Sequence, residues 1–407
     1  MRSVAIVIGS YLPGRKSGGP VRSIANIVER LGDEYEFSIV TADRDFGESR
    51  PYENVEAGRW TTLGKSRVRY LRPWEITPLA LGRVLREVDY DLLYVNNLFA
   101  TISRATFVLR RLNRLRDRPT VIAPRGELSA GALALKAWKK APYLWLTDRL
   151  GLYKSVVWHA SSEVEKDDIL RVFCGGVQRG RDSLLAKTRV APEMVCLPLV
   201  QVAPNLSGGG PAGISPSRRP GKEPGSARIA FLSRISRKKN LDGALRLLAT
   251  AQGSVDLDVY GYREDESYWH ECEKLIGQLP ANVRVAYRGV ADPDDVIGIL
   301  SGYHLLFVPT LGENFGHVFV EGLSAGCLIL TSDRTPWRGL AERKVGWDLP
   351  LSDADAFRRA IGEVVAMDSA EFDRRSALAV DYARRFAEDP SVVEANRQLF
   401  SLSAPPA

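Results

Sequence analysis

The first half of the chain alternates short, continuously apolar segments with longer segments in which apolar residues recur every three or four positions. This alternation is typical of a parallel sheet whose two faces are both covered by helices. The pattern predicts strands at 4–9, 37–41, 92–95, 120–123 and 156–160, and helices at 20–31, 78–88, 101–115, 132–150 and 163–172. This half is therefore expected to be a doubly wound α/β domain.

Residues 205–227 interrupt this alternation, because Gly, Pro and Ser dominate the stretch and few of its residues can pack into a core. Such a composition is typical of linkers. We predict an N-terminal domain over 1–204 and a linker over 205–227. A surface insertion within a single domain is the alternative.

The alternation restarts after residue 227 and runs to the end of the chain. It predicts strands at 228–232, 257–261, 283–287, 305–309 and 328–332, and helices at 240–251, 267–279, 293–301, 316–325, 353–367 and 370–402. We expect a second domain over 228–385, with a helix in 386–407 that packs back on the first domain. Two such domains bind ligands where the carboxyl ends of their strands face each other across a cleft.

The composition, with 45% apolar and 26% charged residues in a chain of 407, excludes a disordered or fibrous protein. No apolar run approaches the ~18 residues of a membrane-spanning helix. The start of the chain resembles a buried strand more than a signal peptide. The cysteines lie far apart, which argues against a disulfide framework or a cysteine-rich zinc site and favours a reducing cytoplasm. They are Cys174, Cys196, Cys272 and Cys327.

Charge is concentrated in residues 104–154, which hold 12 basic and three acidic residues. Aromatic residues such as Trp138, Tyr143 and Trp145 alternate with these cations. A helix over 135–153 with one apolar and one basic face would rest on an anionic membrane surface. A core-packed helix with a solvated basic face is the alternative. Nucleic acid is not expected as a partner, because no nucleic-acid motif accompanies the charge.

The most informative segment is 309–332, where a predicted strand ends, a Gly-containing loop carries Glu313, and a helix begins near Phe315. The first turn of a helix presents backbone N–H groups that suit a diphosphate. Glu321 follows Glu313 by eight positions on the same segment. Taken alone, this spacing favours a capped helix with two solvated glutamates.

The complete string, from Glu313 through Asn314, Phe315, Gly316 and His317 to Glu321, resembles the E-x7-E signature of family 4 retaining glycosyltransferases of GT-B fold. The match continues to residue 332. The resemblance implies two Rossmann-like, doubly wound domains that face each other across a cleft. It also implies that Glu313 holds the donor sugar, that Glu321 holds the ribose, and that the residues between them line the donor site.

A second cluster lies at 231–242, where a strand is followed by a basic loop and a helix. Arg234 and Lys239 resemble the family's cations that hold the donor diphosphate, and such cations offset charge on the leaving group. Asn240 stands where the family usually has Gly, and Asn tolerates left-handed backbone angles. A solvated basic loop is the alternative, and Lys238 or Arg237 could take the role of Lys239.

Gly18 and Gly19 lie between the first strand and the first helix. Glycines at this point let the backbone approach a ligand, and the pair resembles the family's N-terminal glycine loop, which faces the donor phosphates. A simple tight turn is the alternative. No GxGxxG fingerprint supports a nicotinamide or flavin cofactor.

Arg125 and Glu127 follow a strand at 120–123, where many family members carry a His and an Asp. The Pro-Arg-Gly turn here resembles a subgroup common among enzymes of surface-polysaccharide synthesis. We assign Arg125 and Glu127 to acceptor binding, with a plain strand-to-helix turn as an equal alternative.

No cofactor is expected beyond the donor substrate. No His, Asp or Glu spacing suggests a metal site, and Asp256 and Asp258 lie within a predicted strand instead of a metal-binding DxD loop. Metal-independent transfer is expected, with Arg234 and Lys239 supplying the positive charge. Of the histidines, His270 and His304 are expected to be structural.

Together these features predict a retaining glycosyltransferase that moves a hexose from a UDP- or GDP-sugar to a glycan acceptor. The resemblance favours a polyprenyl-diphosphate-linked oligosaccharide in bacterial O-antigen, capsule or exopolysaccharide synthesis. The expected location is cytoplasmic, with peripheral contact to the anionic inner membrane. The alternatives are a sugar-nucleotide epimerase or hydrolase of the same fold, and a non-catalytic nucleotide-sugar-binding membrane scaffold.

Overall fold

A computed structural model describes residues 1–14, 16, 18–134, 136–174, 199–207 and 221–402. The chain divides into two compact units. The first unit comprises Met1–Gly208 and Pro390–Ala407, and the second comprises Gly209–Asp389. The first unit is therefore assembled from two separate parts of the sequence.

The sheet of the first unit has eight strands in the order β3-β4-β2-β1-β5-β6-β7-β8. All neighbouring strands are parallel except the β3–β4 pair at one edge. The strands are β1 Arg2–Val7, β2 Tyr35–Ala42, β3 Trp60–Leu63, β4 Ser66–Leu71, β5 Leu92–Asn96, β6 Thr120–Ala123, β7 Val157–Ala160 and β8 Leu199–Val202.

Successive residues of a strand point to opposite faces of the sheet. Both faces of this sheet are apolar, and helices cover both of them. Val4 and Ile6 pack in one core with Ile24 and Ile27, whereas Ala5 and Val7 belong to a second core. The helices are α1 Gly19–Leu31, α2 Pro78–Arg86, α3 Thr101–Arg111, α4 Ala130–Ala134, α5 Ala137–Arg149 and α6 Glu163–Cys174. The predicted doubly wound arrangement is thus confirmed for this unit.

The second unit contains a six-stranded parallel sheet in the order β11-β10-β9-β12-β13-β14. Renumbered within the unit, this is the 3-2-1-4-5-6 order of Rossmann folds. The strands are β9 Ser226–Leu232, β10 Ser254–Tyr260, β11 Val283–Gly289, β12 Leu305–Val308, β13 Leu328–Ser332 and β14 Gly346–Leu349. The helices are α7 Leu241–Leu248, α8 Glu266–Ile276, α9 Val296–Leu300, α10 His317–Ser324, α11 Ala354–Ala366 and α12 Ser369–Glu388.

The strand order of the second unit reverses between β9 and β12, which is where open α/β sheets bind ligands beyond the carboxyl ends of their strands. The segment after β9 carries Arg234 and Lys239, and the segment after β12 carries Glu313. The topology therefore brings two separate sequence motifs to one edge of one sheet.

The predicted helix over 370–402 is divided into two helices. Proline has no N–H group and cannot continue a helix from its preceding turn, and the chain turns at Asp389 before Pro390. The last helix, α13 Pro390–Phe400, packs on the first unit. The Phe400 ring lies 5.4 Å from that of Tyr94, between ring centroids. The return of the chain thus begins at 390 instead of 386.

Both ends of the predicted linker over 205–227 belong to the two compact units. Asn205 and Leu206 are buried in the first unit. Lys222 is buried in the second unit, where its Nζ donates to the carbonyl oxygens of Val365 and Met367 at 3.1 and 2.9 Å. Residues 208–220 lie outside the described part of the chain.

Two of the four cysteines can be placed: Cys272 and Cys327 are buried free thiols. Cys196 lies outside the described residues, and the side chain of Cys174 is likewise not described. Within the described ranges, no helix has the length and apolarity needed to cross a bilayer.

Candidate functional site

The loop between β12 and α10 carries the first half of the glutamate motif. Gly316, the last residue before α10, has a φ of 79°, a left-handed conformation that favours glycine. A Cβ atom at this position would lie 2.5 Å from the Phe319 ring. Glycine is therefore required on both conformational and steric grounds, and it fixes where the helix begins.

Lys239 and Glu313 form an ion pair at this edge of the sheet, with side chains only 10% and 16% exposed. Burial alone would raise the pKa of Glu313. The charge and hydrogen bond of Lys239 outweigh this effect, helped by the charge of Lys238 and the N–H of Asn314, and lower the pKa to about 2. Glu313 is therefore a carboxylate at neutral pH and can only accept hydrogen bonds.

The loop after β9 is held against the loop after β12 by three hydrogen bonds. Asn240 has a φ of 61°, the left-handed geometry that Asn tolerates, and its Nδ2 donates to the Pro309 carbonyl oxygen at 2.9 Å. The Lys238 carbonyl accepts bonds from the N–H of Leu311 at 2.8 Å and the Thr310 hydroxyl at 3.0 Å. These bonds place Lys239 beside Glu313.

Arg234 lies on the same loop, and its guanidinium donates to Glu264 Oε2 at 3.0 Å. Both side chains are partly exposed. Arg237, one of the two residues that could take the role of Lys239, makes two hydrogen bonds of 2.9 and 2.6 Å with Glu271 on α8. Lys239 therefore contacts Glu313, whereas Arg237 is engaged with α8.

The segment after β13 supports the motif loop and was not identified from the sequence. The buried Trp337 donates its Nε1–H to the Phe315 carbonyl oxygen at 2.6 Å. The N–H of Glu313 donates to the Arg334 carbonyl at 3.0 Å. A tryptophan in a polar stretch was the one available signal, because the second contact uses only backbone atoms.

The remaining motif residues lie around Glu313 and along α10. The Asn314 N–H donates to Glu313 Oε1 at 3.1 Å. His317 is the first residue of α10, and its ring lies 4.7 Å from that of Phe315. Glu321 is partly exposed and, four positions after His317, lies on the same face of the helix. The donor roles of these residues remain predictions.

Gly18 and Gly19 lie at the start of α1, at the carboxyl edge of the first unit's sheet. Gly18 has a φ of 56°, and among the described residues an added Cβ at either glycine would meet no atom within 4 Å. Backbone conformation, and not steric crowding, therefore explains why position 18 holds a glycine. The open space is suited to the approach of a ligand, and the predicted phosphate contact remains a prediction.

Arg125 is held inside the first unit by three side chains. Its Nε donates to Asn96 Oδ1 at 3.0 Å, its Nη2 donates to the Tyr94 hydroxyl at 2.8 Å, and its Nη1 donates to Asn205. Its φ of 56° is unusual for a residue other than glycine. This network fixes the conformation of the Pro-Arg-Gly turn.

His159 ends the same network and is fully buried. Its Nε2 bonds the Ala203 carbonyl oxygen at 2.7 Å, which makes Nε2 the protonated nitrogen. The Tyr94 hydroxyl therefore donates to Nδ1, at 2.5 Å. Burial, together with the charge of Arg125, lowers the pKa of His159 to about 3. Its imidazole is neutral and structural.

Glu127 is directed toward the loop that precedes α3. It accepts the backbone N–H groups of Leu98 and Phe99, the second at 3.2 Å. Burial raises its pKa, although these bonds and the charge of Lys140 oppose the rise. Internal hydrogen bonds thus occupy much of the hydrogen-bonding capacity of the Arg125 and Glu127 side chains. Acceptor binding by either residue remains a prediction.

Helix α5 exposes its largest apolar residues. Trp138 and Trp145 are 74% and 64% exposed, and seven positions apart they lie on the same face. The expected separation of apolar and basic faces is wrong: Lys139 Nζ lies 4.6 Å from the centroid of the Trp138 ring. Lys140 instead turns inward, where its Nζ donates to the Ala132 carbonyl oxygen at 2.6 Å.

The described residues contain no group of three or more His, Cys, Asp or Glu side chains that could hold a metal ion. Asp256 and Asp258 lie on β10 and form ion pairs of 2.6 and 2.9 Å with Arg284 and Arg288. His304 is buried and accepts the Arg228 N–H at 2.9 Å, whereas His270 is exposed on α8 and contacts the Glu266 carbonyl oxygen.

Many solved structures resemble the protein, and three of them illustrate the likeness over nearly its whole length. Sucrose-phosphate synthase from Thermosynechococcus elongatus has 15% identity and a TM-score of 0.65, covering 98% of this chain and 100% of that one. Anabaena HepE, solved in complex with UDP-glucose, has 16% identity and a TM-score of 0.62, and the match covers 99% of this chain and 100% of that one. A UDP-forming trehalose-phosphate synthase from Burkholderia xenovorans has 13% identity and a TM-score of 0.64, and the match covers 100% of both chains. These identities show a shared fold alone.

No curated protein matches the chain. Two family models do: a glycosyl transferase 4-like domain over residues 18–181 and glycosyl transferases group 1 over residues 216–379. The two models together match most of the chain, and each falls on one of the two Rossmann-like units. The protein is therefore a glycosyltransferase of GT-B fold, with a glycosyl transferase 4-like domain followed by a group 1 domain.

Proposed function

We propose that the protein is a retaining hexosyltransferase that uses a UDP- or GDP-sugar and needs no metal ion. The observation that carries the proposal is the Lys239–Glu313 pair at the carboxyl edge of the second unit's sheet, beside the start of α10. A nucleoside diphosphate donor is supported by the likeness to HepE, whose structure was solved in complex with UDP-glucose.

The proposed chemistry divides the work between cations and a carboxylate. Lys239 and Arg234 stabilise the negative charge that develops on the departing diphosphate. Glu313 remains ionised, because the pKa of its carboxyl is held near 2, and it accepts hydrogen bonds from donor-sugar hydroxyls. It is therefore a positioning group and not a proton donor. Attack on the same face as the leaving group gives retention, and the leaving phosphate takes the acceptor proton.

The proposed acceptor is a lipid-linked glycan, reached by peripheral contact with an anionic membrane. Support comes from α5, where Trp138 and Trp145 share an exposed face with Arg149, four positions further on. Exposed tryptophans suit the headgroup region and adjacent cations suit anionic lipids. We call Trp138, Lys139, Trp145 and Arg149 the α5 surface.

We expect UDP- or GDP-sugars to raise the melting temperature, because ligands that bind only the folded state stabilise it. Glu321→Ala should weaken this shift, since a ribose contact contributes to donor binding, and a hydrogen bond to a charged group is worth about 1.5–3 kcal/mol. Thermal-shift titration measures both effects.

Product analysis separates the candidate activities. A glycoside product of unchanged anomeric configuration supports transfer, whereas a changed free sugar would favour an epimerase or hydrolase.

Arg234→Ala and Lys239→Ala should each lower kcat by about 10²–10³, the effect of removing one preorganised charge-stabilising group. Arg246→Ala is the matched control, because Arg246 is an exposed cation on α7 that pairs with Asp242. Steady-state kinetics with and without EDTA measure both claims. Activity that is lost in EDTA and restored by Mn²⁺ would contradict the metal-independent mechanism.

Trp337→Phe should raise the donor KM and leave the acceptor KM unchanged, because it frees the Phe315 carbonyl while keeping an aromatic ring. An unpaired buried carbonyl also costs about 1–3 kcal/mol of stability. Trp269→Phe is the matched control: Trp269 is buried in the same unit, and its Nε1 has no hydrogen-bond partner among the described residues. Equal changes in donor KM for the two variants would show that the Phe315 contact is unimportant.

Wild-type protein should sediment with anionic vesicles at low salt and be released by added salt, since the attraction is screened over a Debye length of about 8 Å at physiological ionic strength. Replacing Trp138 and Trp145 by Ala, or Lys139 and Arg149 by Glu, should abolish sedimentation. Trp74→Ala is the control, because Trp74 is also exposed on the first unit. Wild-type protein that stays in the supernatant would refute the membrane proposal and leave the transferase proposal intact.

A further inference from the structure

The two cations assigned to the donor diphosphate are both already paired with carboxylates. Lys239 is paired with Glu313, within the motif that resembles the donor site, and this pair is largely buried. Arg234 is paired with Glu264, which belongs to no motif that the sequence singled out. The second pair therefore needs its own explanation.

The backbone brings Glu264 to this position. The Ile235 N–H donates to the Tyr262 carbonyl oxygen at 2.8 Å, and the Glu264 N–H donates to the Ile235 carbonyl at 3.2 Å. The segments that follow β9 and β10 thus continue to pair beyond the ends of their strands. This pairing sets Glu264 beside Arg234, at the edge where the diphosphate is proposed to bind.

The two ion pairs differ in exposure, and this difference determines which of them a ligand can open. The side chains of Arg234 and Glu264 are 41% and 36% exposed, whereas those of Lys239 and Glu313 are 10% and 16% exposed. Exposed pairs contribute little net free energy, because water competes for both partners. A phosphate oxygen can therefore replace the Glu264 carboxylate at low cost.

We propose that Glu264 is a competing anion of the donor site: its carboxylate occupies the Arg234 guanidinium when no nucleotide is bound and must be displaced by the diphosphate. Glu264 thereby weakens binding of the donor and of the nucleoside diphosphate product, and it promotes product release. This inference rests on the proposed diphosphate role of Arg234. Glu264 acts through Arg234 and is a positioning residue, not a catalytic one.

The test is calorimetric titration of UDP, with GDP in parallel, into wild type, Glu264→Gln, Arg234→Ala and the double variant. Glu264→Gln should tighten UDP or GDP binding by about two- to fivefold, the range expected when one exposed ion pair is removed. The same substitution should have no effect in the Arg234→Ala background. A purely structural role for Glu264 would weaken binding instead.

Glu271→Gln is the matched control. It removes one negative charge from a neighbouring ion pair, in which Arg237 lies on the loop after β9 and Glu271 lies on α8. We expect unchanged nucleotide affinity in this variant. An equal gain for Glu271→Gln, or a gain that persists without Arg234, would show a general effect of net charge and overturn the proposal.

The outcomes separate this inference from the function on which it rests. If Arg234→Ala weakens UDP or GDP binding and Glu264→Gln fails to tighten it, the competing-anion proposal alone is wrong. If Arg234→Ala binds both nucleotides like the wild type, the diphosphate role of Arg234 falls, and this inference falls with it. Wild-type protein that binds neither nucleotide would overturn both.

Discussion

A buried charge must be matched by an opposite charge, and the Lys239–Glu313 pair satisfies this requirement at the carboxyl edge of the second unit's sheet. Removing either partner would leave the other uncompensated, so the loops after β9 and β12 have to stay in register. The hydrogen bonds from Asn240 to Pro309 and from Leu311 to Lys238 maintain that register. The ion pair and these bonds thus support each other.

The two units use their polar interiors differently, although both are Rossmann-like. In the second unit the buried ion pair lies at the proposed site of chemistry, with Glu313 ionised. In the first unit the chain of hydrogen bonds from Arg125 through Tyr94 to His159 ends on a backbone carbonyl, and the imidazole is neutral. That network fixes the Pro-Arg-Gly turn and the segment at Asn205. Its role is therefore to hold the backbone of the turn in place.

Periodicity was sufficient to predict the central strands and their helices, because buried parallel strands form continuous apolar runs. It missed β3, β4, β8 and β14. Most residues of β3, β8 and β14 are partly buried or exposed, and the buried residues of β4 are interrupted by Arg67 and Arg69, so these sequences lack such runs. The motif glutamates and cations were singled out by their resemblance to a family signature, because the spacing of the glutamates alone favoured a solvated helix, and their donor roles remain predictions. The contacts of Trp337 with Phe315 and of Glu264 with Arg234 could not be predicted, since each joins segments that only the folded topology brings together.

The position of α13 has a consequence for the order in which the chain can fold during synthesis. Phe400 completes a core with Tyr94, yet the ribosome makes the entire second unit between these two residues. The second unit can reach its native fold as soon as residue 389 has emerged. The first unit must wait with part of that core uncovered until the last helix arrives, so a fragment ending at residue 208 lacks a piece of its own interior.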